Sequence, residues 1–335
     1  MTIAHQKPPL TDWLSRFEIA LTSASPQLYP NARQQIAVTL TIQARTGKVI
    51  SRQEQESLCL SVRNNTGQFS PLPVEDNGTA HWFASATRNN YSYYPSTADP
   101  APNKNEEGGT SAGVADGDVT FFEKTFYVMS RAPEGSQETL YARVTRHMDN
   151  ESYVYNTVED PSFKTSVGIT AAPIPQFFAP EHYTFDRTLV GGNGSSDLFI
   201  WEYSLAGRNM QLPVVTFRSA EMQPAGMIQW ADRDPSETRA SHVGYAAPGQ
   251  SEFHYNPAIR LGSQFQPTPT AVRPRSGHIT IVLQGSNNIP YDRDSAIGQG
   301  GPCVITAIDM YGNDHRFRVR FQDGTPTGRL ALELY

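Results

Sequence analysis

The sequence predicts an all-β protein of two antiparallel β-sandwich-like domains, the first immunoglobulin-like and the second ending in a β-meander. Three observations predict it. Short apolar runs alternate with polar residues at a period of two, as half-buried strands require, because successive side chains point to opposite faces. Gly and Pro number 25 each, while charged residues make up only 18% of the chain, a composition suited to short strands joined by polar turns. The length of 335 residues is long for one sandwich and suits two domains of ordinary size. The signals divide into an N-terminal arm (1–15), a sandwich domain (16–174), a proline-rich linker (175–186) and a second sandwich or jelly-roll-like domain (187–335).

In the arm, Pro8-Pro9 exclude a regular helix, and Trp13 and Leu14 are expected to dock on the first domain. Phe17, Ile19 and Leu21 alternate as a strand. After a turn with Pro26 and Pro30, Ile36, Val38, Leu40 and Ile42 form the clearest strand of this half. Ser51-Arg52-Gln53-Glu54 matches a capping box and predicts one helical turn over 52–56 before a strand at 58–62. Residues 80–84 form a brief strand carrying Trp82. From Thr87 to Gly117 the chain is almost all turn chemistry, and loops this long are functional or disordered more often than not. Strand signal returns with Phe122, Phe126 and Val128. Leu140 to Thr145 is expected to pair with that strand across the turn Pro133-Glu134-Gly135-Ser136. Tyr153–Tyr155 and Ser166–Thr170 complete the first domain.

Ala171 to Pro180 is apolar and proline-rich, a short stiff linker that packs. Beyond it, strands are expected at 198–203, 212–217, 227–230 and 279–283. Gly191 to Ser196 is glycine-rich and reads as a flexible hairpin loop. Residues 232–275 are turn-rich. The meander from Cys303 to Tyr335 places His315, Phe317, Val319 and Phe321 on one face and Arg316, Arg318 and Arg320 on the other. Matching the apolar faces puts Val319 opposite Leu330 and Phe317 opposite Leu332. The same register puts Arg316 opposite Glu333, a favourable pair, and Arg320 opposite Arg329, an unfavourable one.

Composition also bounds function. A formal net charge of −6 and a pI near 5.8 exclude general nucleic-acid binding, which needs a basic footprint. Cys59 and Cys303 are too far apart in the chain to suggest a disulfide framework or a cysteine metal site. No apolar run approaches the roughly 18 residues of a membrane-spanning helix. MTIAHQKPPLTDW has no basic start, apolar core or small-residue cleavage site. The expectation is therefore no classical signal peptide, with the protein cytoplasmic in its producer or exported by a non-classical route.

Motifs for nucleotide, metal-protease or serine-hydrolase chemistry are absent from the sequence. Trp82, Tyr91, Tyr93 and Tyr94 suggest an aromatic platform for a sugar or protein; capping of the sandwich end by these rings is the competing reading. The row of Arg316, Arg318 and Arg320 suggests a strip for an anionic group, against a solvated face with edge-guarding charges. No cofactor is expected; loop-bound calcium is the alternative, with Asp292, Asp294, Asp309 and Asp314 as candidate ligands and Asp232 and Asp234 as a similar pair. Such residues more commonly cap turns through their own backbone. His242, His254 and Glu252 form a weaker zinc trio.

The stretches LYPNARQQIAVTLTI (28–42), TFYVMS (125–130), LYARVT (140–145) and SVGITA (166–171) resemble uncharacterised bacterial proteins that pair an N-terminal immunoglobulin-like sandwich with a second β-domain. The resemblance covers the first half of the chain. It implies a fold and no catalytic residue. The expected function is that of a non-enzymatic binding protein, with a glycan or protein partner met by the loops at 87–117 and 232–275. Oligomerisation is compatible with this. The alternatives are a component of a secreted, insecticidal-type toxin or phage-like contractile injection assembly, and a glycan-active hydrolase using Asp232, Asp234, Asp292 or Asp294.

Overall fold

A computed structural model describes residues 7–95, 117–148, 151–195, 198–208, 215–232, 234, 236–261, 268–286, 293–322 and 326–335. The protein is all-β and built from antiparallel sheets, with one parallel strand pair among the described residues. It divides into two compact units, Met1–Ile174 and Pro175–Tyr335.

The first unit holds β1 (Leu14–Leu21), β2 (Gln27–Leu28), β3 (Ile36–Ala44), β4 (Cys59–Arg63), β5 (Phe69–Pro71), β6 (Trp82–Ser85), β7 (Phe121–Ser130), β8 (Gln137–Met148), β9 (Glu151–Asn156) and β10 (Val167–Ala171). One sheet has the order β1-β3-β7-β6; the other runs β2-β10-β8-β4-β5, with β9 also on β8. Both sheets contribute to one core, which includes Trp13, Phe17, Val38, Phe126, Leu140 and Ile169. Each such side chain contributes about 1.5–3 kcal/mol by leaving water. The alternation of β1 and β3 is the visible trace of this core.

The capping box forms as its sequence requires. Ser51 Oγ accepts from the Glu54 N–H, Glu54 accepts from the Ser51 N–H at 2.7 Å, and α1 spans Arg52–Ser57. The chain between β7 and β8 differs from expectation. The two strands do not pair but lie in different sheets, β7 beside β3 and β8 beside β4 and β10. Ser130 ends β7 by accepting from the Ala132 N–H at 2.9 Å while donating to His81 O. Gly135, at φ +81°, then donates to Ala171 O at the end of β10. The turn thus carries the chain across the sandwich.

The second unit holds β11 (Tyr183–Ser195), β12 (Leu198–Gly207), β13 (Phe217–Gln223), β14 (Ile228–Trp230), β15 (Ala240–Ala246), β16 (Ile279–Ser286), β17 (Cys303–Asp309), β18 (Asp314–Phe321) and β19 (Leu332–Leu334). Its sheets are β11-β12-β16-β15-β14 and β13-β17-β18-β19. Phe199, Tyr203, Ile281, Ile305, Phe317 and Val319 belong to the core between them.

Several expectations change here. β11 begins at Tyr183, inside the expected linker, and continues through the glycine run. Register shifts at Leu189/Gly191 and Gly192/Ser195 absorb the glycines. Gly192 is obligatory, because at φ +79° an added Cβ would lie 2.6 Å from Leu198 O. The first half of the expected strand at 212–217 falls outside the described residues, and β13 starts at Phe217. Residues 232–275 contain β15, every residue of which is buried. After β15 this stretch becomes a cover: Phe253, Val272 and Ile259 bury the outer face of β14, β15 and β16 together with Ala246, Val282 and Ile228. Burial on both faces erases alternation, which is why β15 was invisible.

The meander keeps its faces but not its register. Val319 pairs with Leu334, Arg320 with Glu333 and Phe321 with Leu332. Residues Pro326–Leu330 form a 3-10 turn instead of extending the strand. That turn takes Arg329 inside, where Nη1 donates to Ser241 Oγ at 3.2 Å and Ala240 O at 3.4 Å. The expected clash of Arg320 with Arg329 is thereby avoided, and Arg320 meets Glu333 at 2.5 Å.

Candidate functional site

The outer face of the sheet β13-β17-β18-β19 carries the exposed arginine row. Alternation on β18 buries His315, Phe317, Val319 and Phe321 and exposes Asp314, Arg316, Arg318 and Arg320. Strand register then builds rows across the sheet. Glu221, Thr306 and Arg316 lie side by side, as do Ser219, Ile308 and Asp314, and Gln223, Val304 and Arg318. Arg318 exchanges backbone hydrogen bonds with Tyr335, which brings that ring to the end of its row. The Arg320 guanidinium lies 4.4 Å and that of Arg318 5.9 Å from the Tyr335 ring centroid. These cation–π contacts hold the long side chains in place.

Arg316 makes no ion pair or side-chain hydrogen bond to a described residue. It borders a shallow depression of about 580 Å³ shared with Ser219, Glu221, Thr306, Ile308 and Asp314. Glu221 accepts from Gln223 Nε2 at 2.7 Å. Three arginines on this face are therefore offset by Glu221, Asp314 and Glu333. Periodicity on β18 revealed the arginines; Glu221, Thr306 and Tyr335 were missed because only cross-strand register brings them alongside.

The aromatic candidates of the first unit do not form one platform. Trp82 is 7% exposed and belongs to the core, packed there by its place on β6, so its ring is not offered to a ligand. Tyr91, Tyr93 and Tyr94 are half-buried at the root of the long loop. Tyr94 packs on buried Tyr29 at 5.0 Å, and Arg88 covers Tyr93 at 4.6 Å. Gln34 Nε2 donates to Ser92 O, and the Asn89 N–H donates to Gln35 Oε1. This root is thus sewn to the turn at 29–35, while residues 96–116 lie outside the described residues.

The aspartates do not converge on a cation. Asp309 is fully buried, and its oxygens are occupied: Oδ1 accepts from the Tyr311 and Asn313 N–H groups, and Oδ2 faces Asn313 Nδ2 and His315 Nε2 at 3.2 Å each. Asp314 is exposed on the opposite side of the sheet. Asp294 is exposed on the 3-10 turn Arg293–Ala296, and Asp292 lies outside the described residues. Asp232 and Asp234 cap their own turn, accepting from the Asp234 and Ser236 N–H groups. Among the described residues no cluster of three or more His, Cys, Asp or Glu side chains could hold a metal ion. His242 is buried on β15, whereas His254 and Glu252 are exposed, so that trio is dispersed too.

The Asp309 network continues inward. His315 Nδ1 meets the Tyr183 hydroxyl at 2.9 Å, with the Phe177 and Phe217 rings 4.5 and 5.3 Å from the imidazole. Burial, and secondarily the charge of Asp309, pushes the Tyr183 phenol well above its usual pKa. Enclosed by rings, this Asp–His–Tyr set ties β11 to β17 and β18. No protein-family model matches the chain, and comparison with curated proteins finds no match either.

Proposed function

We propose that the chain is a non-enzymatic interaction protein whose second unit docks a protein partner on the open face around Arg316 and Arg318. The observation that carries this reading is the exposed row of Arg316, Arg318 and Arg320, the last two packed on Tyr335, on a sheet face that no described segment covers. The other sheet of the same unit has its outer face at β14, β15 and β16 buried beneath Phe253, Ile259 and Val272. Arginine and tyrosine are the residue types that concentrate binding energy at protein interfaces. Their mutual stacking lowers the entropy lost on docking. The alternation of Arg316 and Arg318 with Glu221, Asp314 and Glu333 favours a partner with a matching charge pattern over a featureless polyanion.

The test is affinity capture from the producing cells with immobilised wild-type protein and with an Arg316→Glu/Arg318→Glu double variant. Both side chains are exposed, so the variant should melt like the wild type. The expected result is a defined partner held by the wild type, released by salt, and weakened about 30-fold or more in the variant, as loss of a hot spot worth at least 2 kcal/mol requires. Identical capture by the two proteins would remove this face from the argument.

A further inference from the structure

A second surface, on the first unit, has a different chemistry. The turn joining β4 to β5 and the outer side of β8 enclose an open trough of about 470 Å³, bordered by Arg63, Asn65, Thr66, Glu138, Thr139 and Tyr141. That volume lies in the range of small-ligand sites, about 300–1,000 Å³.

Its walls are built in advance. Asn64 Oδ1 accepts from the Thr66 N–H, the Gln68 N–H and the Thr66 hydroxyl, which locks the turn. Arg63 Nε donates to Gly67 O at 3.1 Å, and its guanidinium lies 5.5 Å from the Phe69 ring centroid. Phe69 in turn meets Tyr141 edge-on, with centroids 5.1 Å apart and planes at 88°. Tyr141 is thereby fixed by an aromatic neighbour and half exposed toward the trough. Strand pairing of Ser61 with Tyr141 sets the distance between the two walls.

The groups left over are a mixed set. The Asn65 amide, the Thr139 hydroxyl and the Tyr141 hydroxyl make no hydrogen bond to a described residue. Glu138 uses one carboxylate oxygen on the Thr139 N–H at 2.9 Å, leaving the other open. One cation, Arg63, and one anion, Glu138, balance each other. An anionic ligand would be repelled by Glu138 and a cationic one by Arg63. A hydroxyl group, which donates and accepts at once, matches amide, hydroxyl, carboxylate and guanidinium alike. A pyranose adds an apolar C–H face suited to the side of an aromatic ring.

We infer that this trough binds an uncharged saccharide, with Tyr141 as the stacking wall and Asn65, Thr139 and Glu138 reading its hydroxyls. The site lies in a different unit from the arginine face, so a molecule with both would link a carbohydrate to a protein partner.

Saturation-transfer difference NMR on the full chain tests it, with lactose, maltose, cellobiose, mannobiose and chitobiose as neutral probes and glucuronic acid as an anionic one. At ~10 mM sugar, a site with a Kd of about 1 mM is ~90% filled. The expected result is transfer to at least one neutral disaccharide, reduced at least tenfold by Tyr141→Ala and also by Asn65→Ala. The second variant changes an exposed turn residue and guards against loss of the fold in the first. The Arg316→Glu/Arg318→Glu variant should retain the signal, which separates this site from the other face. Transfer to glucuronic acid alone, no transfer to any neutral sugar, or signals that survive both Tyr141→Ala and Asn65→Ala would overturn the inference.

Discussion

Two histidines show how much a single residue's setting decides. His315 sits on the apolar side of an alternating strand and is satisfied there by Tyr183 and Asp309. His242 is equally buried, but neither ring nitrogen has a partner among the described residues. It stacks on Tyr255 at 4.9 Å, beside Ile228 and Gln284 in the strand register. Burial alone depresses its pKa from 6.5 to about 4. The unfolded chain therefore takes up a proton at His242 before the folded one does. Stability is unaffected by this group above pH 6.5 and falls as pH drops from about 6.5 to about 4. The loss reaches at most about 3 kcal/mol, the equivalent of that shift. Half-buried His278, lowered by desolvation and by Arg275, contributes in the same direction. His242→Phe keeps a ring on Tyr255 and removes the titration. Denaturant melts from pH 7.5 to 4 should give curves for the variant and wild type that diverge below pH 6.5. Parallel curves would show that His242 is protonated without cost. His315 was legible in the sequence because β18 alternates; His242 was not, because β15 is buried on both faces.

Elements were legible where their cause is local. The Ser51–Glu54 box and the β3 alternation each depend on residues within a few positions. What failed were long-range decisions. The β7–β8 connection looks like a hairpin, yet it crosses between sheets because Ser130 and Gly135 bond to segments far away in sequence. The trough beside Tyr141 was hidden for the same reason: its walls are about 70 positions apart. The last strand was misregistered because alternation continues through Arg329 and Leu330, which fold into a 3-10 turn. That turn creates a clear energetic contrast between two arginines. Arg329 is 3% exposed and bonded to Ala240 O and Ser241 Oγ. Arg320 is exposed and paired with Glu333. Arg329→Ala should cost about 2–4 kcal/mol, since it empties a packed site and leaves buried acceptors unsatisfied. Arg320→Ala should cost under about 1 kcal/mol, the usual worth of an exposed pair. Chemical denaturation of the two variants checks this, and equal losses would mean that the 3-10 turn does not anchor the meander.

At the scale of the whole molecule, every strand ladder among the described residues closes within its own unit. The arm returns to the first unit, where Lys7 pairs with Glu159 and the Tyr155 hydroxyl donates to Pro8 O. The segment after 175 returns to the second, where Phe177 and Tyr183 enclose His315. Each unit also has a core large enough to fold alone. Fragments 1–174 and 175–335 should therefore each melt cooperatively with β-rich circular dichroism. A fragment beginning at 184 removes only Tyr183, the first residue of β11, from the sheets but strips away Phe177 with it. It loses about 1.5–3 kcal/mol of apolar burial for each ring and leaves His315 without its hydroxyl partner, a further cost of about 1–3 kcal/mol. Against a domain stability of about 5–15 kcal/mol, that fragment should be markedly less stable or unfolded. If 184–335 melts like 175–335, the apolar segment is a tether and not part of the fold. If 175–335 fails to fold while the full chain does, the second unit depends on the first, and the independence of the two proposed binding surfaces falls with it.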